Sequence, residues 1–257
     1  MPESIPEAPP QTRFPLRVSP DRRRLLDVDG RPVLIQGDAA WSVIVNATLD
    51  SARRYIADRR RKGFNTIIVN LIDPLFATDP PRNLAGDEPF TTPGDFRTPN
   101  EAYMAHAERV LEIAEHYGIV VILAPAFLGY PYPSHPGYAG RPEGWYEEVV
   151  ANGPDGRRVW GDYLGHRFGR FKNIIWCIGG DRNPGEVDAG LDQIAQGIRT
   201  GGLAGGRAAV PVSSGTPSEG AGMAAPQARP SQPPGPDLGG PRGGPHRRAA
   251  AVGRRAV

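Results

Sequence analysis

Asp181 is the side chain best placed for chemistry. It follows the run Ile174-Ile175-Trp176-Cys177-Ile178-Gly179-Gly180, so an apolar segment delivers a carboxyl group to its own end. Apolar walls favour the protonated form of a carboxyl, the state from which a general acid works. An Asp shortly before Asn183-Pro184 is equally good capping chemistry for a helix start, and spacing leaves the two readings level. Asp38 lies between Gly37 and Ala39-Ala40-Trp41, where it is expected to accept a hydrogen bond from a ligand hydroxyl while Trp41 offers a flat face to a sugar ring. A cap on a short helix is the commoner use of such an Asp. Asn70 ends the β-branched run Thr66–Val69 and would either orient a hydroxyl or satisfy loop amides. Tyr130, in Gly129-Tyr130-Pro131-Tyr132, and the pair Trp145-Tyr146 add aromatic rings. Rings beside carboxylates suit carbohydrate recognition, since sugar C–H faces stack while hydroxyls take directed hydrogen bonds. The same rings can instead pin a long loop to its scaffold.

Other chemistries find little support. His106 and His116 fall inside a helical stretch and are expected at its surface. His135 and His166 have no second His, Cys or carboxylate pair at ligand spacing, so no metal is expected. Cys177 is the single cysteine, which rules out an intrachain disulfide. No Gly-x-Gly-x-x-Gly follows the first strand, so a dinucleotide-binding fold has no specific signal.

The candidates recur with a rhythm. A hairpin of Leu16–Val18 and Arg24–Leu26 comes first, expected to sit ahead of the main fold and close its floor. Val33–Ile35 then reads as the first core strand, followed by a helix over Asp50–Lys62. Thr66–Val69 is the second strand, with a helix from about Asn100 to Tyr117. Ile119–Leu123 is the third, with a helix over Asp155–Phe171. Ile174–Ile178 is the fourth, with a helix over Val187–Arg199. Continuous apolar runs mark strands covered on both faces, as in parallel sheets. Thr98-Pro99-Asn100-Glu101 supplies a helix start, and Gly63 and Gly118 supply left-handed stops. The segments 74–99 and 125–154, each after a strand, are long, whereas the helix-to-strand turns are short. That asymmetry places a functional face at the C-terminal ends of the strands, as in a (β/α)8 barrel.

Composition divides the chain of 257 residues. Residues 1–13 are Pro-rich and acidic, without the apolar core of a secretory signal. Residues 14–200 have the mixture of a globular domain. From 201 to 257 there is no Phe, Tyr, Trp, Ile or Lys, and roughly two-fifths is Gly plus Pro, a composition of disorder. Seven arginines there face one Glu and one Asp, so a body of mildly acidic balance lies beneath an overall charge of +2. Such a body lacks the basic patch that nucleic-acid binding needs. No apolar run reaches the roughly 20 residues of a membrane span. With one cysteine and no leader, a cytoplasmic location is the expectation.

Several strings together are specific. Leu34-Ile35-Gln36-Gly37-Asp38-Ala39-Ala40-Trp41, Gly63-Phe64-Asn65-Thr66, Pro89-Phe90 with Gly94-Asp95-Phe96, Pro99-Asn100-Glu101-Ala102-Tyr103, Gly144-Trp145-Tyr146 and Trp176-Cys177-Ile178-Gly179-Gly180-Asp181 occur in order. Over about residues 14–199 the chain resembles the apiosidase-like glycoside hydrolase catalytic domain, a bacterial barrel family. The resemblance implies an α/β fold of (β/α)8 TIM-barrel type, here about its first four βα units. It also implies cleavage of glycosidic bonds in plant-type glycans, with no metal or organic cofactor and a carbohydrate as partner. Asp181 matches the carboxylate that the family carries in Gly-Gly-Asp at the end of the fourth strand. The family's second carboxylate, a Glu on a late strand, has no match: Glu219 lies among Ser, Pro and Gly. Hydrolysis ordinarily needs both, so weak activity is expected. The composition switch near residue 200 fits either a shifted reading frame or a genuine extension. Two other functions remain open, a non-catalytic carbohydrate-binding protein and an interaction protein with a basic tail.

Overall fold

The computed structural model describes residues 12–129, 144–180, 188–204 and 211–212. All of them fall in the first of two compact units, Met1–Gly215. The chain opens with three two-residue strands, β1 (Arg17–Val18), β2 (Leu25–Leu26) and β3 (Pro32–Val33), paired antiparallel in that order. The expected hairpin is therefore a three-stranded meander. The apolar run read as the first core strand is divided: Pro32–Val33 belongs to the meander, and Leu34 is 81% exposed.

The main sheet consists of β4 (Gly37–Ala39), β5 (Thr66–Asn70), β6 (Val120–Ala124), β7 (Ile174–Cys177) and β8 (Pro211–Val212), all parallel and adjacent in chain order. Between them run α1 (Val43–Asn46), α2 (Leu49–Arg61), α3 (Glu101–His116), α4 (Tyr146–Ala151), α5 (Gly153–Phe168) and α6 (Asp188–Ala204). Thr48 and Asn100 cap α2 and α3 by accepting the amides of Ser51 and Ala102, and the left-handed Gly63 and Gly118 follow their ends.

Register tells the two faces of the sheet apart, because paired residues on parallel strands project to the same side. Ile67, Val69, Val121, Leu123, Ile174 and Trp176 pack in one large cluster with the helices. Val120, Ile122 and Ile175 alternate with them and meet Phe14, Leu16, Leu25 and Val33. The meander thus covers the inner face of the sheet near the N-terminal ends of its strands, as the expected floor.

Past the composition switch the structure departs from the expectation of a tail from residue 201. Helix α6 continues to Ala204, and Pro211–Val212 pairs beside Trp176–Cys177. The physical reason is close packing of α5 on α6. A Cβ at Gly161 would stand 2.2 Å from the Ile194 carbonyl oxygen, and one at Gly201 2.4 Å from that of Asp162. Glycines that look like linker in composition here let two helix backbones touch. The remainder of 201–257, and residues 1–11, lie outside the described residues.

Candidate functional site at the C-terminal rim

Asn70 is the last residue of β5 and lies on the inner face, paired with Ala124. Its backbone N–H donates to the Trp41 carbonyl at 2.9 Å, which fixes the segment leaving β4 against the end of β5. The Asn70 side chain is fully buried, and neither its Nδ2 nor its Oδ1 has a hydrogen-bond partner among the described residues. An unpaired buried amide group costs about 1–3 kcal/mol, so such groups are rare in folded proteins.

Trp41 is half-buried and tilts against Phe127, with ring centroids 5.6 Å apart. Phe127 follows β6 and also faces the exit of β7. Gly179 and Gly180 have φ of +106° and +126°, and a Cβ at Gly180 would come within 2.6 Å of the Phe127 ring. Trp41, Asn70, Phe127 and Gly180 therefore come from the ends of four successive strands and meet at one rim. Asp181, the next residue, lies outside the described residues, as does Tyr130.

Asp38 is not part of that rim. It lies within β4, in register with Ile67, and so faces the helices. Its Oδ2 accepts the Tyr55 hydroxyl at 2.9 Å and an Arg59 N–H at 2.8 Å, both from α2. The Tyr55 hydrogen bond, followed by those of Arg59, holds the Asp38 carboxyl below its ordinary range, against an opposing effect of burial. Arg59 in turn bridges Asp38 and Asp58. The expected ligand contact is replaced by a strand-to-helix clasp, and Asp38 caps no helix either. The mistaken placement follows from the strand boundary: with the strand at Val33–Ile35, Asp38 looks like a residue beyond its end.

Trp145 and Tyr146 pack inward. Trp145 is 5% exposed, donates through Nε1 to the Ile72 carbonyl at 3.3 Å and meets Phe90 edge-on. Tyr146 packs against the same core. Phe90, Phe96 and Trp160 complete an aromatic cluster with centroids 5.2–5.8 Å apart. The Asn152 side chain ties its backbone by accepting the Phe96 amide and donating to the Gly94 carbonyl. These rings pin the segment 74–99 to α5 rather than offering a free platform. His106 is likewise no bare surface residue, because its Nε2 lies 3.0 Å from the Ile44 carbonyl. His135 lies outside the described residues.

Two residues escaped the sequence reading, Phe127 of the rim and Asp73 just after β5. Phe127 sits in Ala126-Phe127-Leu128, where nothing separates it from a core run. Asp73 is fully buried, and its Oδ1 accepts the amides of Leu75 and Phe76 while Oδ2 is unpartnered among the described residues. Asp73-Pro74 has the signature of a simple turn. Among the described residues no group of three His, Cys, Asp or Glu could hold a metal ion, and no helix is long and apolar enough to cross a membrane.

The profile of the family described as "Apiosidase-like, catalytic domain" matches residues 19–213. The chain belongs to this apiosidase-like family. The match runs past residue 200 to the end of β8, in agreement with the continued helix and fifth parallel strand. Among solved structures, the apiosidase-like domain is similar to a glycoside hydrolase family 5 protein from Bacteroides vulgatus, at 20% identity and TM-score 0.61 over 78% of this chain and 40% of that one. A second putative glycoside hydrolase from Bacteroides vulgatus aligns at 16% identity and TM-score 0.53, over 73% of this chain and 36% of that one. A family 5 mannosidase from Rhizomucor miehei aligns at 15% identity and TM-score 0.51, over 73% and 53%. These likenesses establish the fold, that of the (β/α)8 barrel. The chain spans about 40% of the length of the first two structures. No curated protein matches it in sequence.

Proposed function

We propose that the rim built by Trp41, Asn70 and Phe127 is the carbohydrate-binding part of a glycosidase cleft, with Asp181 as its acid/base carboxylate and plant-type glycans as substrates. The carrying observation is Asn70: a buried amide at the inner-face end of β5, with both polar ends unpartnered among the described residues. Barrel enzymes place their chemistry at this end of the strands. The half-buried Trp41 supports the sugar-facing reading, and Gly180, against Phe127, brings the chain to this rim one residue before Asp181.

Hydrolysis of a glycoside needs a proton for the departing oxygen and a second carboxylate to activate water or trap the oxocarbenium-like centre, about 5–9.5 Å from the first. Asp181 supplies the first group in this reading. Two Glu residues follow it: Glu186 lies in the connection after β7, outside the described residues, and Glu219 lies among Ser, Pro and Gly, so neither follows a run that reads as a late strand. We therefore infer weak turnover for this chain. A lone general acid is worth about 10²–10⁴-fold.

The test is reducing-sugar release from apiose- or arabinose-bearing plant glycans together with equilibrium binding of their oligosaccharides. Binding that weakens on Asn70→Ala, with slow release that disappears on Asp181→Asn, supports the reading. Binding without any release points instead to a non-catalytic carbohydrate-binding protein. The absence of both counts against the rim.

A further inference from the structure

Between residues 12 and 33 stand six arginines and three aspartates, whereas residues 34–200 carry 21 acids against 17 basic residues. The mildly acidic balance of the body thus hides one basic element, the three-stranded meander beneath the sheet. Leu25 and Val33, which pack toward the sheet, are in register with each other. Arg17, Leu26 and Pro32 form the next row, on the outer face. Arg13 and Arg31 meet at the β2–β3 turn, and Arg17 reaches it from β1 by donating to the Val28 carbonyl at 3.3 Å. Arg22 and Arg23 occupy the β1–β2 turn at the other end. The arginines therefore form a track across the meander rather than a pocket.

The three aspartates do not neutralise this track. Asp27 is buried, and its Oδ1 accepts the amides of Asp29 and Arg31, both at 2.9 Å. Asp21 is engaged within its own turn by the Ser19 hydroxyl and the Arg23 amide, and lies 3.6 Å from Arg24. Asp29 is the carboxylate that meets the track: its Oδ2 accepts an Arg13 N–H at 2.6 Å and lies 3.9 Å from Arg31. It shows within this fold what these guanidinium groups take. Arg17, Arg22 and Arg23 are exposed and have no ion pair among the described residues.

Arg22 stands where the turn does not call for arginine. Its φ is +58°, and it is the one non-glycine residue with positive φ among the described residues. The Arg22 amide donates to the Ser19 carbonyl, and the Ser19 amide to the Arg24 carbonyl, each at 2.8 Å, so backbone groups close the turn. Glycine would adopt this conformation with less strain. Arginine here adds exposed charge at a cost to local stability.

We propose that the outer face of the meander docks a carboxylate-bearing polysaccharide, a linear chain of acidic sugars whose carboxylates pair with Arg17, Arg22 and Arg23. A guanidinium presents two parallel N–H groups to the two oxygens of a carboxylate. Leu26 and Pro32 leave an apolar strip beside Arg17 for the sugar rings. A single slender chain fits a track one element wide, whereas a nucleic-acid duplex would reach past it to the acidic remainder of the body. The saccharide class rests on the carbohydrate reading of the rim, but the residues are separate and lie toward the opposite ends of the strands.

The experiment is equilibrium binding of a fluorescent oligogalacturonate to the full chain at low salt, read by anisotropy. It is repeated in a full-length background with Arg229, Arg242, Arg247, Arg248, Arg254 and Arg255 all replaced by Gln, so that these tail charges do not contribute. The expected result is saturable binding in both, weakened by added salt. Arg17→Ala combined with Arg22→Gly and Arg23→Ala should weaken it at least about tenfold. Arg22→Gly alone should weaken binding and leave the melting temperature unchanged or higher, a pairing that a merely structural role would not give. Asn70→Ala should leave this binding unchanged. Failure of neutral arabinan oligosaccharides to bind at Trp41, with oligogalacturonate binding intact, overturns the rim and spares the meander. The proposal is overturned by full affinity in the triple variant or by loss of binding in the background without the tail arginines. Tighter binding of duplex DNA or of phosphatidylserine vesicles at equal anionic charge overturns it as well.

Discussion

Gly180 and the Phe127 ring are in contact: a Cβ on Gly180 would stand 2.6 Å from Cδ2 of Phe127. The residue that precedes the proposed acid is thus glycine for two reasons, its φ of +126° and the ring beside it. Gly180→Ala should cost about 1–3 kcal/mol in urea denaturation. Adding Phe127→Leu should recover part of the loss, because it relieves the contact and leaves the backbone strain. An equal cost of Gly180→Ala in both backgrounds would contradict the contact.

The packing of α5 on α6 gives a second expectation. A Cβ at Gly165 would lie 2.4 Å from the Ile198 carbonyl oxygen, a backbone atom that cannot turn aside. Gly165→Ala should destabilise the protein by about 3 kcal/mol or more. Gly86→Ala is the control, since Gly86 has φ of +87° and nothing within 4 Å, and should cost about 1–2 kcal/mol. Thermal melts that rank the two variants the other way would refute the backbone-to-backbone contact.

Asp38 makes a prediction in pH. Tyr55 and Arg59 lower its pKa in the folded state, so the stability it contributes is present above the unfolded value near pH 4 and is lost as pH falls through the lowered one. Asp38→Asn should cost about 1–2 kcal/mol at pH 7, allowing for screening of a partly exposed pair. The difference from wild type should narrow as pH falls below about 4. Saccharide binding should not change. A pH-independent difference, or a binding defect, would place Asp38 at the rim after all.

Asn70→Leu separates fold from function. Replacing a buried amide with no partner among the described residues by an apolar side chain of similar size should leave stability unchanged or raise it by about 1–3 kcal/mol. Oligosaccharide binding at Trp41 should weaken. A variant that loses stability and keeps its binding would show that Asn70 serves the scaffold.

Much of this was legible in the sequence because period and punctuation agree. Thr66–Val69 and Ile119–Leu123 are unbroken apolar runs, and Gly63 and Gly118 end helices where a left-handed residue is required. The first core strand was not legible, because Val33–Ile35 carries the stronger β signal while Gly37-Asp38-Ala39 has almost none and is held by its partner β5. That four-residue error moved Asp38 from the helix side of the sheet to its rim. Trp145 was ambiguous for another reason: a ring that pins a loop and one that stacks on a sugar are the same residue in sequence, and only the Nε1 bond to Ile72 decides. Gly201 belongs to a helix for a reason that lies in α5 and that no local composition records.

The most direct measurement of the central claim is product release from an aryl α-L-arabinofuranoside, whose reactive leaving group brings weak catalysis into range, by this chain and by its Asp181→Asn variant. The account predicts slow release by the chain, no more than about 10⁴-fold above the uncatalysed rate, and its disappearance in Asp181→Asn. Rapid release that survives Asp181→Asn would contradict it.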